Sequence, residues 1–297
     1  MIDPEREATM AGFSRRAFLE RATAGAAAAG IFSAATGLHG SPLGLPIGSQ
    51  TWPHRQRVRS GDLAGLCKDL AALGVGTVEL CSPGYPEFTG LADGKETRKV
   101  VEAHGLKCPS AHFTMDEMRT KQQQMIAWAK DIGMTQMGVA TLAEGPPGGK
   151  TTMDAVKRAA DEYNRIGETA AAAGIVQFLH DEGFEAAHAD DRLVYEILIE
   201  RLDPKYVKFQ YQMSAMPQVG DVVTYFKKYP GRFISMHLQG VDPKAANRRA
   251  QLAVGKDGVD WAKVFAAAKT GGVQNYFVEQ SWDLTVQSVA YLKTLSA

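Results

Sequence analysis

Short β-type runs and amphipathic helical patterns alternate eight times along this chain, and no other feature restricts its fold as much. The runs are Leu45–Gln50, Gly76–Cys81, Lys107–Phe113, Gln136–Thr141, Val176–His180, Tyr206–Tyr211, Phe233–Leu238 and Tyr276–Glu279. Between them lie patterns such as Met153, Val156, Ala160, Tyr163, Ile166 and Ala170, which step by three and four as one face of a helix does. Gly74, Gly105, Gly133, Gly174 and Gly272 each stand just before a run, where a left-handed helix cap belongs. Strands that alternate with helices imply a parallel sheet. Eight units in roughly 250 residues predict a closed (β/α)8 TIM barrel, with the active site at the C-terminal strand ends. The rival, an open doubly wound sheet, would carry a glycine-rich phosphate loop after its first strand. Gln50-Thr51-Trp52-Pro53-His54 is not one.

The first 40 residues read as an address. Ser14-Arg15-Arg16-Ala17-Phe18-Leu19 resembles a twin-arginine export signal, followed by an uncharged, Ala-rich stretch from Ala22 to Leu38. That stretch is short of the ~20 strongly apolar residues a membrane span needs, and no later segment qualifies. The organisation expected is a signal over 1–40 and one barrel domain over 41–297, exported to the periplasm. Thirty-three basic residues balance 33 acidic ones, which argues against nucleic acid as the ligand. Three cysteines, none in a Cys-x-x-Cys pair, give no support to a redox or zinc-knuckle motif.

The strand ends supply the candidate site. They carry Trp52 after the first, Glu79 on the second, His112 on the third, and Gln177, His180, Glu182 and Glu185 in and after the fifth. Gln210 and Gln212 end the sixth, His237 and Gln239 the seventh, and Glu279 the eighth, with Trp282 beyond. Histidines and carboxylates converging on one rim point to acid–base or metal chemistry. The glutamines suit sugar hydroxyls, because each offers a donor and an acceptor. Trp52 and Trp282 suit stacking on the apolar face of a sugar ring.

The segments Tyr229-Pro230-Gly231-Arg232-Phe233 through His237-Leu238, Val254-Gly255-Lys256-Asp257-Gly258-Val259-Asp260-Trp261 and Val278-Glu279-Gln280 resemble, in order and spacing, motifs of the sugar phosphate isomerase/epimerase family. These are the xylose isomerase-like TIM barrels. Leu179 to Glu185, Val78-Glu79-Leu80 and Ala111-His112-Phe113 extend the likeness along the chain. The resemblance implies an isomerase or epimerase acting on a small carbohydrate or keto-sugar, by proton transfer next to a carbonyl. It also implies one divalent metal (Mn, Mg, Co or Zn) bound by residues of strands five to eight. Carried onto this sequence, the metal ligands are His237, Glu279, Gln210 in place of an Asp, and either Gln177 or one of Glu182 and Glu185. Glu279 and His180 take the catalytic roles, and Trp52, Glu79, His112, Gln177, Gln212, Gln239 and Trp282 contact substrate. Glutamine at ligand positions weakens a metal site. That leaves a non-catalytic barrel that binds a sugar or a partner as one alternative, and the exported context fits a 3-keto-glycoside lyase or hydrolase as another. The related endonuclease IV needs three zinc ions, and this chain lacks the ligands for them.

Overall fold

A computed structural model describes residues 41–142, 150–180, 182–215, 219–241 and 251–295. The twin-arginine segment lies outside these residues. Eight strands form the barrel: β1 (Gly48–Gln50), β2 (Thr77–Cys81), β3 (Lys107–Phe113), β4 (Gln136–Val139), β5 (Val176–His180), β6 (Val207–Gln212), β7 (Phe233–Leu238) and β8 (Asn275–Val278). Each pairs in parallel with its sequence neighbours, and β8 closes on β1 through Gly48↔Phe277 and Ser49↔Val278. The main helices among the described residues are α1 (Leu63–Ala72), α2 (Gly94–Glu102), α3 (Gln122–Ile132), α4 (Met153–Ala172), α5 (Val194–Arg201), α6 (Val222–Lys228), α7 (Trp261–Gly271) and α8 (Trp282–Leu292). None of the described helices is long and apolar enough to cross a membrane.

Local sequence sets the helix ends. Thr152 caps α4 by accepting from the Ala155 amide at 3.2 Å, and Asp260 caps α7 from the Lys263 amide at 3.0 Å. α3 and α7 stop at Gly133 and Gly272, whose φ values of 93° and 92° a side chain would resist. The buried residues of α4 include Val156, Ala160, Tyr163, Ile166 and Ala170, the stripe its periodicity predicts. Some strand boundaries move by one to three residues. The first strand begins at Gly48 because Pro42–Gly44 form a 3-10 turn and Leu45 follows it as its cap. β8 ends at Val278, so Glu279 stands just past the strand.

The two faces of each strand have opposite chemistry. Outward residues such as Val78, Leu80, Phe113, Leu179, Phe209, Tyr211, Met236 and Tyr276 are buried in an apolar shell beneath the helices. The aromatic packing there is dense: Phe226 of α6 meets Phe233 at 4.9 Å and Tyr211 at 6.0 Å between ring centroids. The inward positions, two residues apart on each strand, are mostly Gln, Glu, Ser, Asn and His. Hydrogen bonds between strands on opposite sides of the barrel must cross its interior. Asn275 on β8 donates to Gln136 on β4 at 3.0 Å, and Gln210 on β6 donates to Glu79 on β2 at 2.9 Å. Gly138 leaves space for the Phe178 ring, which a Cβ would strike at 2.1 Å. Barrel interiors are usually filled by Val, Ile and Leu; this one is largely polar.

Candidate active site

The polar interior is layered, and the layers rise toward the C-terminal strand ends. Glu79 is the hub of the deeper layer. It is fully buried, and its Oε2 accepts from Ser110 Oγ at 2.6 Å and from Gln210 Nε2 at 2.9 Å. Its Oε1 lies 2.5 Å from His237 Nε2 and 3.3 Å from His112 Nε2. Gln210 Nε2 also donates to Ser235 Oγ at 3.0 Å. Both amide hydrogens are thus engaged, so the Gln210 oxygen accepts from His112 Nε2 at 2.7 Å. That fixes the histidine tautomer by elimination.

The upper layer centres on Glu279. Its Oε2 accepts from Gln212 Nε2 at 2.7 Å and from Gln239 Nε2 at 2.8 Å, and lies 3.3 Å from His237 Nδ1. Gln212 Nε2 also reaches Glu182 Oε1 at 3.2 Å, and that oxygen is 3.6 Å from His180 Nε2. Gln50, Trp52, Cys81, Tyr85, His112, Ala140, His180, Glu182 and Glu279 line a cavity of about 160 Å3 over this layer. Trp52 stands at its wall, stacked on Phe88 at 6.2 Å and edge-on to Tyr85 at 5.7 Å.

The charges are set by burial and by neighbours. Burial alone would lower the His237 imidazolium, but Glu279 and Glu79 outweigh it and hold its pKa at about 10; the ring then carries a hydrogen on both nitrogens, and a metal at Nδ1 would displace the one there. Burial would raise the Glu79 carboxyl; His112 and His237 keep it well below the usual range. Glu279 is lowered in the same way, against its burial, chiefly by His237. His180 is lowered by burial and stays neutral, as a ligand must. Glu185 is fully buried, and loss of water pushes its carboxyl well above the usual range.

The histidines His112, His180 and His237 are all buried, with ring nitrogens within 4.8 Å of one another, and could hold a metal ion. His180 Nδ1 is buried without a hydrogen-bond partner, which an ion would satisfy, and an ion at His237 Nδ1 would take the place of the hydrogen that faces Glu279 Oε2 at 3.3 Å. Imidazoles with a carboxylate beside them suit a divalent transition metal. The residues therefore fit the group that the sequence resemblance implies.

The structure brings Glu79, His112, His180, Glu182, Gln210, Gln212, His237, Gln239 and Glu279 into one network. Gln210 lies a layer below the cavity with its amide fully engaged, and Gln212 is the glutamine at the height of Glu279. Gln177 points outward and donates to Tyr163 Oη of α4 at 2.8 Å, so it is not part of this network. Of the two glutamates after β5, Glu182 reaches the cavity. Glu185 instead turns into the core, where it accepts from the Leu142 amide at 2.9 Å. Trp282 opens α8 against His54 at 5.8 Å and does not line the cavity. Sequence reasoning passed over Ser110, Ser235, Cys81 and Tyr85. The two serines were within reach, since each sits two residues before a strand-end histidine and so on the same face.

No family model and no curated protein matches the chain. Solved structures do. A sugar phosphate isomerase/epimerase from Parabacteroides distasonis aligns over 89% of this chain and 96% of its own, with TM-score 0.70 and 20% identity. A xylose isomerase-like TIM barrel protein from Mycobacterium smegmatis, in complex with magnesium, aligns over 84% and 95%, with TM-score 0.64 and 14% identity. An L-ribulose 3-epimerase aligns over 84% and 91%, with TM-score 0.61 and 15% identity. The fold is that of the xylose isomerase-like barrels.

Proposed function

We propose that this protein is a carbohydrate isomerase or epimerase that moves a proton next to a carbonyl with the help of one divalent metal. The observation that carries the reading is the convergence of Glu279, His237, His180 and Glu182 on a cavity at the barrel's C-terminal face. Magnesium in one structural neighbour and epimerase activity in another support it.

His180, His237 and Glu279 would hold the metal, with Glu182 at the rim. The metal would polarise the substrate carbonyl and lower the pKa of the adjacent C–H. Glu279, or Glu182 opposite it, takes the proton. Both are kept ionised near neutrality by histidines, as a base must be. Gln212 and Gln239 direct their amide hydrogens at the same Glu279 oxygen and hold that carboxylate in place. Trp52, at the cavity wall, would meet the apolar side of a sugar ring. Export by the twin-arginine route belongs to the same proposal, because a periplasmic enzyme would meet free or oxidised sugars more often than phosphorylated ones. Replacing Arg15 and Arg16 by Lys should retain the protein in the cytoplasm.

Incubation in D2O with a panel of ketoses and keto-sugars tests the reaction. Deuterium should appear at the carbon beside the carbonyl, read by NMR, and a chelator should suppress it. A panel with no exchange, with or without added metal, removes the isomerase reading.

A further inference from the structure

We infer that Glu79 is a positioning residue: it holds the Nε2 hydrogen of His237 toward the barrel interior and leaves Nδ1 as the nitrogen presented to Glu279 and the cavity. The inference rests on the proposed role of His237 in the site and assigns the group that orients it.

Glu79 does not line the cavity. Both of its oxygens are committed below: Oε2 to Ser110 and Gln210, Oε1 to His237 Nε2 at 2.5 Å. With three hydrogen-bonded partners on three strands, β3, β6 and β7, the carboxylate cannot turn upward. It is therefore fixed as an acceptor, and the ring nitrogen facing it must carry a hydrogen. The other nitrogen lies 3.3 Å from Glu279 Oε2 without a well-formed hydrogen bond, so its hydrogen is the one an ion would displace.

The neighbouring histidine is anchored by the same means. His112 Nε2 donates to Gln210, which Glu79 itself holds, and the two rings lie nearly parallel, 16° apart with centroids at 5.3 Å. One buried carboxylate thus sets the orientation of both rings, directly for His237 and, for His112, through Gln210 together with its own 3.3 Å approach to Nε2.

A merely structural role explains the arrangement less well. Removing a carboxylate from water costs several kcal/mol, and neutral or apolar groups of similar size fill such space at no such cost. Lower in the same interior, Asn275 and Gln136 span the barrel as a neutral pair. A charge placed under His237 gains its purpose from the ring above it. A carboxylate behind a metal-binding histidine fixes its tautomer and raises its basicity.

The test uses the full-length protein, with Zn2+ as the probe. In the wild type, long-range 1H–15N spectra should show His237 Nε2 protonated, with a downfield hydrogen from the short bond to Glu79. On zinc addition, Nδ1 should shift while Nε2 keeps its hydrogen. In Glu79→Gln the downfield signal should vanish, and zinc affinity by calorimetry should fall roughly 10- to 100-fold. Deprotonated Nε2 in the zinc-loaded wild type overturns the inference. So does a Glu79→Gln protein that melts lower yet keeps the same His237 signals and zinc affinity. If Glu79→Gln does not fold, the wild-type spectra decide alone. If zinc does not bind the wild type, the metal-assisted reading fails, and the downfield signal and its loss in Glu79→Gln still decide the positioning.

Discussion

The outer and inner faces of the same eight strands solve opposite problems. The outer face is a continuous apolar shell in which Phe209, Tyr211, Phe226 and Phe233 pack ring against ring. It gains stability from burial and contains little that could react. The inner face places Glu79, His112, Gln210, His237 and Glu279 where water is excluded, an arrangement that stabilises only when every partner is present. The difference teaches which face serves stability and which serves chemistry. Substitutions on the outer face should change free energy of unfolding, and those on the inner face should change reactivity or protonation.

Glu279→Gln should produce the largest effect. It keeps the shape and removes the charge, so proton exchange should fall by at least ~10²–10⁴-fold, the usual worth of a general base. The melting temperature should stay close to that of the wild type. A variant that remains active would move the chemistry off the inner face. Next comes Phe226→Ala in the outer shell, which should cost about 3–5 kcal/mol of stability by urea unfolding. Exchange per folded molecule should be unaltered, and a loss of exchange without a loss of stability would erase the distinction between the faces.

Gln210→Asp sharpens the comparison inside the barrel. From the sequence alone, this change restores a carboxylate ligand and should tighten metal binding. In the structure the new carboxylate would face Glu79, and the hydrogens that Gln210 now gives to Glu79 and Ser235 would be lost. The expected outcome is a loss of about 1–3 kcal/mol in stability with no gain in metal affinity. Gln212→Asp, one layer higher, is the change expected to tighten metal binding in calorimetric titrations.

The smallest effect concerns Glu185, buried with the shell rather than the site. Its folded pKa is raised above the unfolded value. The contribution is therefore fully present below the unfolded pKa, near 4.5, and is lost as pH rises toward the folded value. Glu185→Gln keeps an acceptor for the Leu142 amide and removes that titration. It should stabilise the protein at pH 7 and make little difference at pH 4, by urea midpoints at the two values. A variant equally stable or less stable than the wild type at both would contradict the burial argument.

The barrel was legible because alternation, helix periodicity and the glycines before strands are local signals that agree with one another. The site was legible as a set of strand-end residues, because parallel barrels gather such residues at one rim. Depth within that rim was not legible. Gln210 and Gln212 have the same parity on β6, and the bond of the first to Glu79 and of the second to Glu279 shows which of them stands at the height of the cavity. Direction was also lost where parity was ambiguous: Gln177 sits one residue before Phe178, whose ring occupies the interior, and so it faces α4. Glu182 and Glu185 separate for a tertiary reason, since the second is captured by the Leu142 amide.

Metal content tests the central claim most directly, that the polar inner face is built to hold one divalent ion beside a carboxylate base. Protein purified without chelator should carry about one equivalent of transition metal by elemental analysis. His237→Ala should lose it, and Phe226→Ala should keep it in its folded fraction. Wild-type protein that carries no metal, takes up none on titration with Zn2+, Mn2+, Co2+ or Mg2+, and is indifferent to chelator would contradict the account.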